Sequence, residues 1–141
     1  LRMTVLGRTM NYLEGIILPT IKAAAQEIGA AYGAQVEMHH YEPLFKDMRQ
    51  DKKLLDLFKD VMTEFGETPR ILSDDEADGS TDVGNVSYEV PTAQPTLQIG
   101  LGLEAHTPEF TCAAGSDYGL AQAIKGAKIM AVVALRYAMC K

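Results

Sequence analysis

Residues Gly79-Ser80-Thr81-Asp82-Val83-Gly84-Asn85 gather two hydroxyls, a carboxylate and a carboxamide within six positions. Small residues let backbone approach a bound molecule, and such loops often line polar pockets, although composition alone favours a hydrogen-bonded turn. Just upstream, Asp74, Glu76, Asp78, Gly79 and Asp82 fall at positions one, three, five, six and nine of a calcium loop. Asn85, however, stands where that loop needs a bidentate carboxylate, and Thr81 where it needs an aliphatic residue. Pro69 also separates it from the preceding helix, so Asp74 to Asp78 reads better as a solvated acidic loop. His39 and His40 would face opposite sides of a strand and cannot share one metal through it. His106 reads as sitting in a loop between a buried strand and the capped terminal helix, where α/β proteins keep functional residues. One imidazole alone is not a metal site, which needs three further ligands. Cys112 has no cysteine partner at zinc or redox spacing and no assignable base, and Cys140 falls at a helix end. Gly100 and Gly102 lack the third glycine and the helix start of a phosphate loop.

The elements that would position these residues can be read from periodicity. Arg2 to Leu6 and Gln35 to Tyr41 read as strands, the second alternating Val36, Met38 and His40 against Gln35, Glu37, His39 and Tyr41. Between them, Leu13, Ile16, Ile17, Ile21, Ala24, Ala25 and Ile28 recur at helical spacing over Met10 to Ala31. Pro19 predicts a kink or a division there, and Gly33 a left-handed end. These pieces would form a β-α-β unit closed by Pro43. A helix from Asp51 to Phe65 buries Leu54, Leu55, Phe58, Val61, Met62 and Phe65, and Gly66 and Pro69 stop it. Ser73 to Asn85 reads as a loop, and Val86 to Val90 and Leu97 to Leu103 as strands. After the loop AHTPEFTCAAG, Ser116 would cap a helix from Asp117 to about Cys140. Its expected inner face is Leu120, Ala123, Ile124, Ala127, Met130, Ala131, Ala134, Leu135 and Ala138.

The chain has 141 residues, 47% hydrophobic and 23% charged, which suits a packed core. Its net charge of −6 argues against a nucleic-acid partner. Two cysteines cannot make a disulfide framework and read as reduced thiols, so a cytoplasmic location is expected. The richest apolar stretch, Ile124 to Met139, is broken by Lys125, Gly126, Lys128 and Arg136, and no membrane partner is expected. The opening at Leu1, straight into a strand-like segment, reads as a start inside a longer structure. Composition shifts between Tyr41 and Asp51, and forty-odd residues cannot bury a core alone. Two incomplete domains are therefore expected, residues 1–44 and 45–141.

The stretch GSTDVGNVSYEVPTAQPTLQIG, followed by EAHTPEF, AAGS and the helix AKIMAVVALRYA, resembles the C-terminal part of a known family. These are the dinuclear-metal amidohydrolases and peptidases of the aminoacylase/carboxypeptidase type, metallopeptidase family M twenty. The branch resembled is that of p-aminobenzoyl-glutamate hydrolase and related dipeptidases. Residues 79–141 carry the resemblance, while the first forty look similar, more loosely, to the back half of that family's lid or dimerisation domain.

The resemblance implies an α/β fold class. Residues 1–44 would be half of a ferredoxin-like lid, and 45–141 the C-terminal strands and helices of a zinc-exopeptidase-like catalytic domain. It implies a metal-activated water cleaving the amide of N-acyl or aminoacyl amino acids, with two divalent ions, zinc or manganese, in the intact enzyme. His106 matches the last metal ligand. Ser80, Thr81, Asp82 and Asn85 match the active-site loop, with pocket-shaping and supporting hydrogen bonds as their implied work. Gly115 and Ser116 match the entry to the terminal helix, whose amides would favour a substrate carboxylate. The family's other metal ligands and its general base have no counterpart here. No catalytic residue is assigned, and the chain alone is expected to be inactive and need not hold a metal. Implied partners are a small amide or dipeptide with a free carboxylate, and a second copy bound through the lid. Two other classes remain: a non-catalytic module dimerising through an exposed strand edge, and an acidic α/β binding domain without metal.

Overall fold

The computed structural model describes residues 1–73 and 79–139. Its helices are α1 (Met10–Tyr12), a π-helical turn (Leu13–Ile17), α2 (Leu18–Ala31), α3 (Lys52–Glu64), α4 (Val83–Ser87), α5 (Pro108–Ala114) and α6 (Asp117–Met139). They belong to two compact units, one of residues 1–49 with 79–90, the other of 50–73 with 91–139.

Among the described residues there is no β-strand, which corrects the expected α/β class with its lid strands and C-terminal strands. Strand residues become a strand only when a neighbour completes the hydrogen-bond ladder. Residues 1–6 and 35–41 meet through side chains, Thr4 Oγ1 lying 3.2 Å from the Tyr41 hydroxyl and the Arg2 guanidinium 4.1 Å from the Tyr41 ring centroid. That is contact without a ladder, and strand-edge dimerisation loses its premise. Val86 to Val90 is drawn into α4 and the turn after it. Leu97 to Leu103 is interrupted at Gly102, whose φ of +64° breaks an extended course.

In the first unit Pro19 decides the helix geometry. Proline has no N–H to give the carbonyl four residues back, and its ring crowds that carbonyl. The chain widens just before it: the Leu18 N–H bonds to Leu13 O, a π-type reach, and α2 begins with Pro19 in its first turn. Thr9 caps the rod by accepting from the Tyr12 N–H at 3.3 Å. Met10 and Leu13 are buried. Gly33, at φ +67°, turns the chain back, as its position predicted, and Val36 packs where Gly29 has no side chain.

The second unit is built on α3 against α6. Val61, Met62, Ile129 and Val133 form the buried cluster, flanked by Leu54, Leu57, Phe58, Phe65, Leu97 and Val132. Asp51 caps α3 through the Leu54 N–H at 2.9 Å, and Gly66 ends it at φ +81°. The next residue, Glu67, accepts from Lys125 at 2.5 Å and from Gln122 at 3.4 Å. Gln122, buried, also donates to Gln98 O at 3.0 Å, so its burial is compensated. Arg136 grips Glu64 with both guanidinium nitrogens at 2.6 and 2.7 Å. That grip holds the Glu64 carboxyl below its ordinary range. Replacing Ile129 with Ala should cost this unit about 3 kcal/mol, read as a lower denaturation midpoint at unchanged m.

The face of α6 is the second correction. Gly119, Gln122, Ile129 and Val133 point inward, whereas Leu120, Ile124, Met130 and Leu135, expected inside, are exposed. The helix is apolar almost all round, so periodicity fixes its pitch but not its phase. By length and composition α6 is also long and apolar enough to cross a membrane, which the expectation from charge interruptions missed. A helix packed in a domain core meets the same test.

Candidate functional site

In the first unit the hydroxyl-rich segment runs into α4, contrary to its expectation as loop throughout. Thr81 Oγ1 accepts from the Val83 N–H at 3.3 Å, forming the turn that starts the helix. Asp82 stands at the N-cap without a capping bond from its side chain, and its carboxylate is exposed, as is Ser80. Half-buried Asn85 turns the other way. Its Oδ1 accepts from the Lys46 N–H at 2.7 Å and its Nδ2 donates to Leu44 O at 3.0 Å. Ser87 Oγ accepts from the Arg49 N–H at 2.9 Å and donates to Gly84 O at 2.6 Å.

Asp47 lies at the centre of this arrangement. Its Oδ1 accepts from the Met10 N–H at 2.7 Å and from the Tyr88 hydroxyl at 2.8 Å. Lys46 Nζ and Arg49 Cζ stand 4.6 and 3.6 Å from the Tyr88 ring centroid. Partial burial pushes the Asp47 carboxyl upward, but the bonds from Met10, Tyr88 and its own amide, with the Arg49 charge, hold it below the ordinary carboxylate value. The same bond to Asp47 pushes the Tyr88 phenol up. A carboxyl depressed in the fold stabilises it above the unfolded pKa, and that contribution is lost as pH falls through the folded value. An acid titration of stability should therefore show a loss below about pH 4 that Asp47→Asn lacks. Neither Asp47 nor Tyr88 was legible as a partner of this segment. They are separated by 41 positions, and no local pattern joins them.

In the second unit His106 is exposed and has φ +66°, the only positive φ outside glycine among the described residues. Such a conformation is sparsely used by residues with a Cβ and collects at functional loops. It is followed by a helix start that the loop expectation missed. Thr107 accepts from the Phe110 N–H at 3.2 Å, Pro108 occupies the first turn and Glu109 the positive end. The signal was present in T-P-E. Gly115 closes α5, and Ser116 caps α6, accepting from the Gly119 N–H at 3.1 Å while donating to Ala113 O at 2.7 Å. With Asp117 in its first turn, this terminus already carries its own negative complement.

Ser80, Thr81, Asp82 and Asn85 thus share one unit, and His106, Gly115 and Ser116 the other. Among the described residues no three His, Cys, Asp or Glu side chains converge as a metal site. His106 would contribute a single ligand, so a dinuclear centre does not fit this chain's own donors. The calcium-loop positions Asp74, Glu76 and Asp78 lie outside the described residues, as does Cys140.

Two curated proteins are similar to this chain. The chain is similar to Xaa-Arg dipeptidase of Mus musculus, 32% identical over 114 residues, covering 81% of this chain and 26% of the mouse protein. It is also similar to Xaa-Arg dipeptidase of Homo sapiens, 44% identical over 57 residues, covering 40% of this chain and 13% of the human protein. The chain thus spans about a quarter or less of the length of these curated relatives. No family model matches it, and no solved structure does. A match of 114 residues within 141 necessarily includes 28–114, hence both the Ser80–Asn85 segment and His106.

Proposed function

We propose that this chain is the C-terminal part of a metal-dependent amidohydrolase of the dipeptidase class, a cytoplasmic enzyme cleaving a small aminoacyl or N-acyl amino acid with a free carboxylate. The observation that carries the proposal is the similarity to the mouse Xaa-Arg dipeptidase across 81% of the chain. A dipeptide with a basic second residue is accordingly the first substrate to try. The exposed, left-handed His106 supports a place at the reacting centre, because a conformation costing about 1–2 kcal/mol is retained where something outweighs it. The zinc or manganese ions would need their other ligands, and the reaction its general base, from polypeptide outside these 141 residues. The chain alone is proposed to be inactive.

The test is to express the polypeptide that continues this chain to the relatives' length and assay a panel of Xaa-Arg, Xaa-Lys and N-acyl amino acids, with and without chelator. Chelator-sensitive hydrolysis of at least one class is expected. Absence of hydrolysis across the panel, with added zinc and with added manganese, would overturn the proposal.

A further inference from the structure

We infer that Asn85 is a positioning residue: its carboxamide closes residues 44–49 into a strap that in turn fixes the first turn of the helical rod beginning at Met10. Each end of the amide makes one bond to this segment. It gives a donor to Leu44 O and an acceptor to the Lys46 N–H, which is what a neighbouring strand would offer to residues two apart. A side chain here takes the place of a strand. Gly84 makes the approach possible, because a Cβ at that position would collide with the Lys46 carbonyl oxygen. Ser87 repeats the device two residues on, holding the Arg49 amide.

The strap ends in a second anchor. Met10 carries one of the first-turn amides that a helix cannot satisfy internally, and Asp47, 37 residues away, accepts from it. The same Asp47 oxygen takes the Tyr88 hydroxyl, so the start of α1, the strap and the end of α4 meet at one atom. A change at Asn85 must therefore reach Met10 through Lys46 and Asp47. The inference stands on the first unit alone and does not depend on the proposed hydrolase activity.

Amide hydrogen exchange on the 141-residue chain tests it. Asn85→Ala should speed exchange of both the Lys46 and Met10 amides about fivefold or more, the equivalent of one lost neutral hydrogen bond, while the Ile129 amide in the other unit stays unchanged. Asn85→Asp keeps the acceptor for Lys46 but not the donor to Leu44, and should leave Lys46 largely protected. Coupling runs in both directions, so Asp47→Ala, which also releases the Tyr88 hydroxyl, should speed exchange at Lys46 as well. Faster exchange at Lys46 with Met10 unmoved in Asn85→Ala would overturn the inference, as would Lys46 unmoved in Asp47→Ala. Should Asn85→Ala unfold the unit, Asn85→Asp decides: loss of Lys46 protection there sinks the clamp.

Discussion

Replacing His106 with Gly should cut dipeptide hydrolysis by the relatives-length enzyme at least about a hundredfold while slightly stabilising the 141-residue chain. On the proposal that His106 is a metal ligand, the loss follows because groups that merely orient such a ligand are worth about 10–100-fold, and a ligand itself would be worth more. The gain follows from the backbone. His106 sits at φ +66°, where a Cβ costs about 1–2 kcal/mol, whereas glycine adds about 0.5–1 kcal/mol of chain entropy to the unfolded state. The difference favours Gly by roughly 0.5 kcal/mol, a rise of about 1–2 °C in melting midpoint. His106→Asn, which tolerates the same conformation, should match the stability without restoring full turnover. Opposite signs for stability and activity are the signature of a strained functional residue. If His106→Gly retains activity, the imidazole has no part in the reaction.

Gly84→Ala should be the most damaging single methyl group in the first unit. The Cβ would overlap the Lys46 carbonyl oxygen and lie 3.0 Å from its carbon, and both are backbone atoms that cannot rotate aside. The strap must then leave α4, taking with it the Asn85, Ser87 and Asp47 bonds, so a loss of about 3–4 kcal/mol or outright unfolding of that unit is expected. Near-ultraviolet circular dichroism from Tyr88 and a denaturant titration would report it. Gly126→Ala supplies the contrast. Its Cβ would meet only the tip of the Leu97 side chain at 3.2 Å, and alanine in a helix interior gains up to about 1 kcal/mol. Equal damage from both substitutions would mean that the strap is not held where the structure puts it.

These two glycines also show what could be read from sequence. Helix positions were legible wherever apolar spacing and end signals agreed: α3 between its Asp51 cap and Gly66, and α6 from Ser116 onward. Strand assignments failed because they rested on residue type and, for Gln35 to Tyr41, on alternation, neither of which supplies a pairing partner. Val, Ile and Leu in short runs favour an extended chain, but only a partner turns extension into sheet. The buried side of α6 was illegible for a different reason, since both of its faces are apolar. The polar segment stands out in the sequence, yet its division into outward-facing Asp82 and inward-facing Asn85 depends on contacts about forty residues away. The helix at Pro108 was overlooked despite a local signal.

The widened turn at Leu13–Ile17 has a consequence for how this sequence can change in length. Deleting one residue there would return the five-residue reach to the regular four-residue one ahead of Pro19, because the widened residues turn about as far as four regular ones do. The Met10 amide would therefore keep its bearing on Asp47. Loss of a single codon across these five positions should thus be tolerated, whereas a gain would rotate the preceding turn by about 100° and take Met10 off Asp47.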